Sequence, residues 1–302
     1  MKRFLYFFLF LFPSSCTHAQ DTTLSSFNIQ MDEVIVGSIK NGWDVAAFIR
    51  RVRTDTTFFK AFKGLRVVPF TAVNDIRILN KRGGIQATYY SRTRTSVARG
   101  CRSMTTADEK VTGDFFKRNR DYRYFTAELY AYLFFTAGTV CGDNDNVASI
   151  NQRGSGSIEK AKYQLKQLIF NPGSKISGVP LIGNKASIFD PEVAKRYDFK
   201  LMSVEYAGEG CYLFRALPKK EHADNVVYNE LSTWFRKSDY SILARDYSLS
   251  YHTPVYDFDV KMRVRLTPVG SRNLPSRIEY DGNWRVATQG RERGRFITTF
   301  SY

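Results

Sequence analysis

Hydrophobic side chains recur at every second position through the C-terminal third of the chain. Phe258, Val260, Met262, Val264 and Leu266 alternate with Asp257, Asp259, Lys261, Arg263 and Arg265. A period of two puts one set on a buried sheet face and the other in solvent. Phe258, Val260, Met262 and Val264 are therefore assigned to the core or to a pocket face, and Asp257 and Asp259 to the exposed face. Similar runs at 198–206, 211–217, 226–235, 242–251, 277–280 and 295–302 are separated by turn-forming residues. Ala207-Gly208-Glu209-Gly210, Lys237-Ser238-Asp239 and Asp281-Gly282-Asn283 read as turns, which predicts an antiparallel meander over 197–302.

The first half is patterned differently. Val45, Phe48, Ile49 and Val52 follow helical spacing behind Asp44, a suitable N-cap. Asp55 is placed to cap a second helix with Phe58, Ala61, Phe62 and Leu65 on one side, ending at Gly64. Ile85, Ala87 and Tyr89 then alternate with polar residues after Lys81-Arg82-Gly83-Gly84, predicting a hairpin, and 88–96 reads as a polar edge strand or loop. Residues 125–140 predict a buried helix, and Ser157 to Ile169 another that stops at Asn171-Pro172-Gly173. Together these patterns predict an α+β fold, a curved antiparallel sheet with helices packed on one face. A helix-rich part at 27–171 would join the meander at 197–302 through the turn-rich residues 172–196.

At the start of the chain, Met1-Lys2-Arg3 leads into nine apolar residues, Phe4 to Phe12, and then Pro13 to Gln20. A basic start, a short apolar run and small residues at Thr17 and Ala19 predict a secretory signal over 1–19, cut before Gln20. The run is too short to span a bilayer, which needs about 20 apolar residues. Cys16 offers an alternative, lipidation of the exported chain.

Removing those nineteen residues from 302 leaves 283, enough to bury a sizeable core, and losing Lys2 and Arg3 lowers the net charge from +16 to +14. A hydrophobic fraction of 43% argues against disorder. Export turns the basic balance away from nucleic acid and toward an anionic envelope component as partner. Cys101, Cys141 and Cys211 allow at most one intramolecular disulfide, and no Cys/His spacing points to zinc.

Thr233-Trp234-Phe235-Arg236-Lys237-Ser238-Asp239-Tyr240-Ser241-Ile242-Leu243, set among consecutive strands after early helices, resembles the half-barrel of lipoprotein-carrier proteins of the bacterial envelope. The resemblance covers 197–302 and implies a concave face that holds an acyl chain. Residues 158–196 have no counterpart in that pattern.

Catalytic signals are sparse. His252 with Asp257 or Asp259 is the candidate general-base pair of a secreted hydrolase. His222 lies in a polar turn and reads as a solvated loop residue. Asp143-Asn144-Asp145-Asn146 lacks the glycine and distal glutamate of a calcium loop, and Gly154-Ser155-Gly156-Ser157 lacks the lysine of a phosphate loop. No catalytic motif, cofactor or metal is expected. The sequence favours an exported envelope protein that binds a lipid-like or other apolar ligand. The hydrolase is the first alternative, and a structural or adhesive envelope protein with a basic surface is the second.

Overall fold

Strand β12, Glu292–Ser301, lies between β11 (Arg272–Val286) and β2 (Phe70–Leu79), and so joins the two halves of the chain in one sheet. The computed structural model describes residues 29–33, 41–142, 166–174, 185–252, 256–286 and 290–302. The remaining strands are β1 (Ile29–Met31), β3 (Ile85–Ala98), β4 (Cys101–Thr112), β5 (Thr139–Cys141), β6 (Tyr197–Tyr206), β7 (Glu209–Pro218), β8 (Tyr228–Arg236), β9 (Ile242–His252) and β10 (Tyr256–Val269). Their order in the curved, twelve-stranded sheet is β1-β6-β7-β8-β9-β10-β11-β12-β2-β3-β4-β5. Every pair is antiparallel except β1 with β6, which is parallel, so the sheet is mixed at one edge.

Helices cover the inner face. Asp44 caps α1 (Val45–Thr54), its carboxylate accepting from the Ala47 amide at 2.8 Å. Phe48, Ile49 and Val52 are buried as the spacing predicts, and the Phe48 ring meets Tyr212, Phe235 and Tyr240 at 5.3–5.7 Å. Helix α2 (Thr57–Gly64) starts one residue after its N-cap, Thr56, and Asp55 accepts from the Thr57 amide at 3.0 Å. Its Phe62 stacks on Phe170 at 4.1 Å, and its Phe58 covers Tyr247 edge-on. Each buried aromatic removes enough apolar surface to contribute about 1.5–3 kcal/mol, so these rings dominate the inner layer. Helix α3 (Phe125–Phe134) lies over β12 and β2.

Period-two alternation is realised on β10. Phe258, Val260, Met262 and Val264 are buried, and Asp259, Lys261 and Arg263 are exposed. Asp257 departs from its assignment, because its side chain is only 14% exposed. It is walled in by His252, Arg285 and Arg291.

Two expected breaks are absent. Residues 281–283 are not a turn: Asp281, Gly282 and Asn283 pair on one side with Lys261, Val260 and Asp259, and on the other with Arg295, Gly294 and Arg293. Gly282 serves packing instead, since any Cβ there would overlap the Tyr280 ring folded back across it. Residues 88–96 are likewise an interior strand, with Tyr89, Ser91, Thr93 and Thr95 buried. Their hydroxyls disguise a core face. Asn74 donates to Ser91 and Thr93, both at 3.2 Å, and Tyr130 of α3 donates to Asn74 at 2.6 Å, so Ser91, Thr93 and Asn74 are satisfied internally, while the buried Thr95 hydroxyl makes no hydrogen bond.

Cys101 and Cys141 face each other across β4 and β5 in a disulfide, and Cys211 is buried outside any disulfide. Residues 1–19, Cys16, Gln20, the Asp143–Asn146 segment, Gly154–Ser157 and most of the 172–184 stretch lie outside the described residues. Only 166–170 of the helix expected from Ser157 are described, and they are helical. Among the described residues no helix is long and apolar enough to cross a membrane.

Candidate functional site

The sheet outruns its helical cover. Past α3 the inner face continues onto β3 and β4, where Met104 and Thr106 are paired with Thr95 and Thr93 and so share their face. A cavity of about 550 Å³ opens there. Tyr89, Met104 and Thr106 form its floor, Ala131, Tyr132 and Phe135 one wall, and Phe116 and Tyr122 the opposite wall.

Two glycines shape the walls, one under α3 and one at the end of β4. Gly294 sits under Thr126, and a Cβ at 294 would fall 2.5 Å from Thr126 Cγ2. Glu292 accepts from the Phe125 and Thr126 amides at 2.8 and 2.6 Å, which caps the first turn with a carboxylate where the helix dipole favours one. Gly113, with φ of +64°, turns the chain out of β4 toward Phe115 and Phe116 in a conformation that other residues rarely adopt.

Aromatic rings pack against one another around the cavity, stacked for Tyr89 on Phe115 and edge to face for Tyr89 on Phe116. Tyr89 lies 5.2 Å from Phe115 and 5.6 Å from Phe116, and Phe116 lies 5.4 Å from Tyr122. At the mouth Arg120 covers the Phe116 ring at 4.4 Å and donates to Glu109 at 3.0 Å. Arg120 has a φ of +66°, and Asp108, beside Glu109, has +52°. Left-handed backbone costs roughly 1–2 kcal/mol for a residue such as Arg120, so the arginine end of this ion pair is held at a strained position. Burial pushes the Tyr122 phenol up to about 12, with Tyr89 and Glu109 adding and Arg120 opposing. Burial likewise raises Tyr89. Both phenols stay protonated near neutral pH. The cavity thus offers apolar rings, the phenols of Tyr89, Tyr122 and Tyr132, and one ion pair at its rim. It has no arrangement of nucleophile and base.

The candidate pair of the sequence forms elsewhere. His252 Nδ1 lies 2.9 Å from Asp257 Oδ1, while Asp259 is opposite Ser250 and exposed. A second cavity of about 570 Å³ beside it is lined by Lys185, Asp224, Asn229, Ser250 and His252. Burial pushes the Asp257 carboxyl up, but bonds from His252 and Arg291 outweigh this and leave it below the usual range. Three features weaken a catalytic reading. The imidazole is 67% exposed, Asp257 is already shared with Arg285 and Arg291, and the Ser250 hydroxyl is taken by Asn229 at 2.9 Å. His222 lies in a 3-10 turn over Lys220–Asn225. Burial raises the Cys211 thiol, which disfavours the nucleophilic thiolate. Among the described residues no group of three His, Cys, Asp or Glu side chains is arranged to hold a metal.

No protein-family model matches the chain, and no curated protein matches it in sequence. Solved structures do. A DUF1329 family protein from Desulfovibrio piger is similar over 82% of this chain and 92% of its own, at 14% identity and a TM-score of 0.25. A domain assigned to outer membrane lipoprotein sorting, from Vibrio parahaemolyticus, is similar over 85% of this chain and 88% of its own, at 11% identity and a TM-score of 0.26. The description of the latter agrees with the resemblance drawn for residues 197–302. At these TM-scores neither likeness carries an argument about function.

The aromatic cavity is absent from the sequence reading. Its one legible signal is Phe115-Phe116 with Tyr122, Tyr124 and Phe125, a cluster outside any regular period.

Proposed function

We propose that this is an exported envelope protein that holds a lipid-like or other apolar ligand on the inner face of its sheet, without transforming it. The observation that carries the reading is the cavity of about 550 Å³ where β3 and β4 extend past α3. Its size and aromatic lining suit the burial of an acyl chain or a fused apolar ring system. The Arg120–Glu109 pair and the phenols of Tyr89 and Tyr122 would hold a polar end at the mouth. Export rests on the sequence of residues 1–19.

The test is binding of a fluorescent fatty acid to the purified chain. Ala131→Trp places a large side chain in the wall and is expected to weaken binding at least ten-fold with the fold retained by circular dichroism. Undiminished binding by a folded Ala131→Trp variant would overturn the assignment of the site.

The hydrolase reading keeps one observation in its favour, the hydrogen bond between His252 and Asp257. General acid–base residues contribute about 10²–10⁴-fold to rate. Turnover of an ester substrate that His252→Ala abolishes in a folded protein would replace binding with catalysis.

A further inference from the structure

The outer face of the sheet carries arginines two to a carboxylate. Glu279 takes Arg277 at 2.7 Å and Arg263 at 3.5 Å. Asp281 takes Arg295 at 2.7 Å and Arg293 at 3.6 Å. Asp257 takes Arg291 and, at 3.6 Å, Arg285. These six guanidinium groups outnumber the carboxylates they meet, which include Asp246, 3.9 Å from Arg263 and also held by Arg265. These arginine side chains are 43–64% exposed. Each guanidinium has five N–H donors and a carboxylate receives only some of them, so donors remain for a further anion. Exposed Lys261 and exposed Asp259 share this face and offset each other.

The clusters are also placed where contact is easiest. They lie on β10, β11 and β12, the sixth, seventh and eighth strands in the order of twelve. On a curved sheet whose concave side is covered by helices, the middle strands form the crown of the convex side. A crown touches a plane before any other part does. A linear polyanion is better gripped by a groove, whereas these arginines are spread across three neighbouring strands. Guanidinium forks fit phosphate oxygens pairwise. We infer that this crown docks the protein on a bilayer surface rich in anionic phospholipid. The inference goes beyond the inner-face cavity and does not depend on it.

Vesicle sedimentation tests it. The purified chain is expected to sediment with vesicles of phosphatidylglycerol and phosphatidylcholine, not with phosphatidylcholine alone, and to be released as NaCl rises from 50 to 500 mM. Each basic residue at an anionic surface is worth about five-fold in binding, less where a carboxylate shares it. Arg293→Gln with Arg295→Gln is therefore expected to weaken sedimentation roughly ten-fold. Lys195→Gln with Lys220→Gln removes equal charge away from the crown and should change it less than two-fold. If the arginine variant melts early, Lys261→Gln with Arg277→Gln gives the same expected loss. Equal losses from the crown and control variants would reduce the effect to net charge and overturn the proposal. Absence of lipid-dependent sedimentation would overturn it too, as would binding to dextran sulfate without binding to vesicles.

Discussion

Thr126 of α3 lies directly on Gly294 of β12, so close that the strand has no room for a Cβ at that point. The pair sets the height of α3 above the sheet and therefore the wall of the aromatic cavity. Gly294→Ala forces Thr126 outward and is expected to destabilise the fold by about 1–3 kcal/mol, the cost of overpacking. Adding Thr126→Ala should recover part of the loss, because two of the three crowding atoms disappear. Urea unfolding of the two single variants and the double variant measures the coupling. Additive losses would show that the two residues do not press on each other.

Tyr130 holds the other side of α3. Its hydroxyl is within 2.6 Å of both Asn74 Oδ1 and Thr298 Oγ1 in a fully buried setting. Tyr130→Phe keeps the ring but leaves the Asn74 oxygen without this donor, and a loss of about 1–3 kcal/mol is expected. Burial pushes the phenol far above its ordinary value, so the hydroxyl remains a donor at any physiological pH. Denaturant midpoints of wild type and variant provide the measurement, and equal midpoints would argue against the network.

The Cys101–Cys141 disulfide closes a span of 40 residues that contains α3 and both cavity walls. Loop-closure entropy gives it about 3–4 kcal/mol of stabilisation. Cys141→Ser is expected to lower the melting temperature and to weaken fatty-acid binding through loosening of those walls. Intact mass after thiol labelling of a chain that begins at Gln20 should find one free cysteine, and slow labelling is expected, because Cys211 is buried and its thiol raised.

Acid should release the Asp257 cluster. Its carboxyl is depressed in the folded protein, so the stabilisation it supplies is complete above the unfolded value of about 4 and fades as pH falls through the lower folded value. Asp257→Asn should be less stable than wild type at pH 6, and the gap should narrow steadily below pH 4. Thermal melts across that range decide it, since a gap independent of pH would mean the carboxylate charge is not involved.

Much of the fold was legible because it depends on local periods. Val45 to Val52 and Phe258 to Val264 have one apolar face each, and each face is buried. The misread segments are those in which tertiary pairing overrides local chemistry. Asp281-Gly282-Asn283 has the composition of a turn, yet strands on both sides pair with it and the glycine makes space for Tyr280. Ser91, Thr93 and Thr95 look solvent-facing, yet Asn74 and Tyr130 arrive from elsewhere to satisfy the first two. The cavity was illegible for a similar reason. Its floor, walls and rim come from β3, β4, α3 and the Phe116–Tyr122 turn, and no spacing within one element announces their meeting. His252 and Asp257 do meet, because strands joined by a short connection bring them into register, but the arginines on Asp257 come from β11 and from the residue just before β12.

The position of β12 has a temporal consequence. Arg293 pairs with Leu79 and Ser301 with Thr71, more than 200 residues back along the chain, and the strand is synthesised after both its neighbours. Until it arrives, β2 and β11 each present an open edge able to recruit any extended segment. Contacts this distant in sequence form slowly. The half-finished sheet is therefore the state in which this protein is most exposed to aggregation and proteolysis, and the one in which a folding helper would find most to hold.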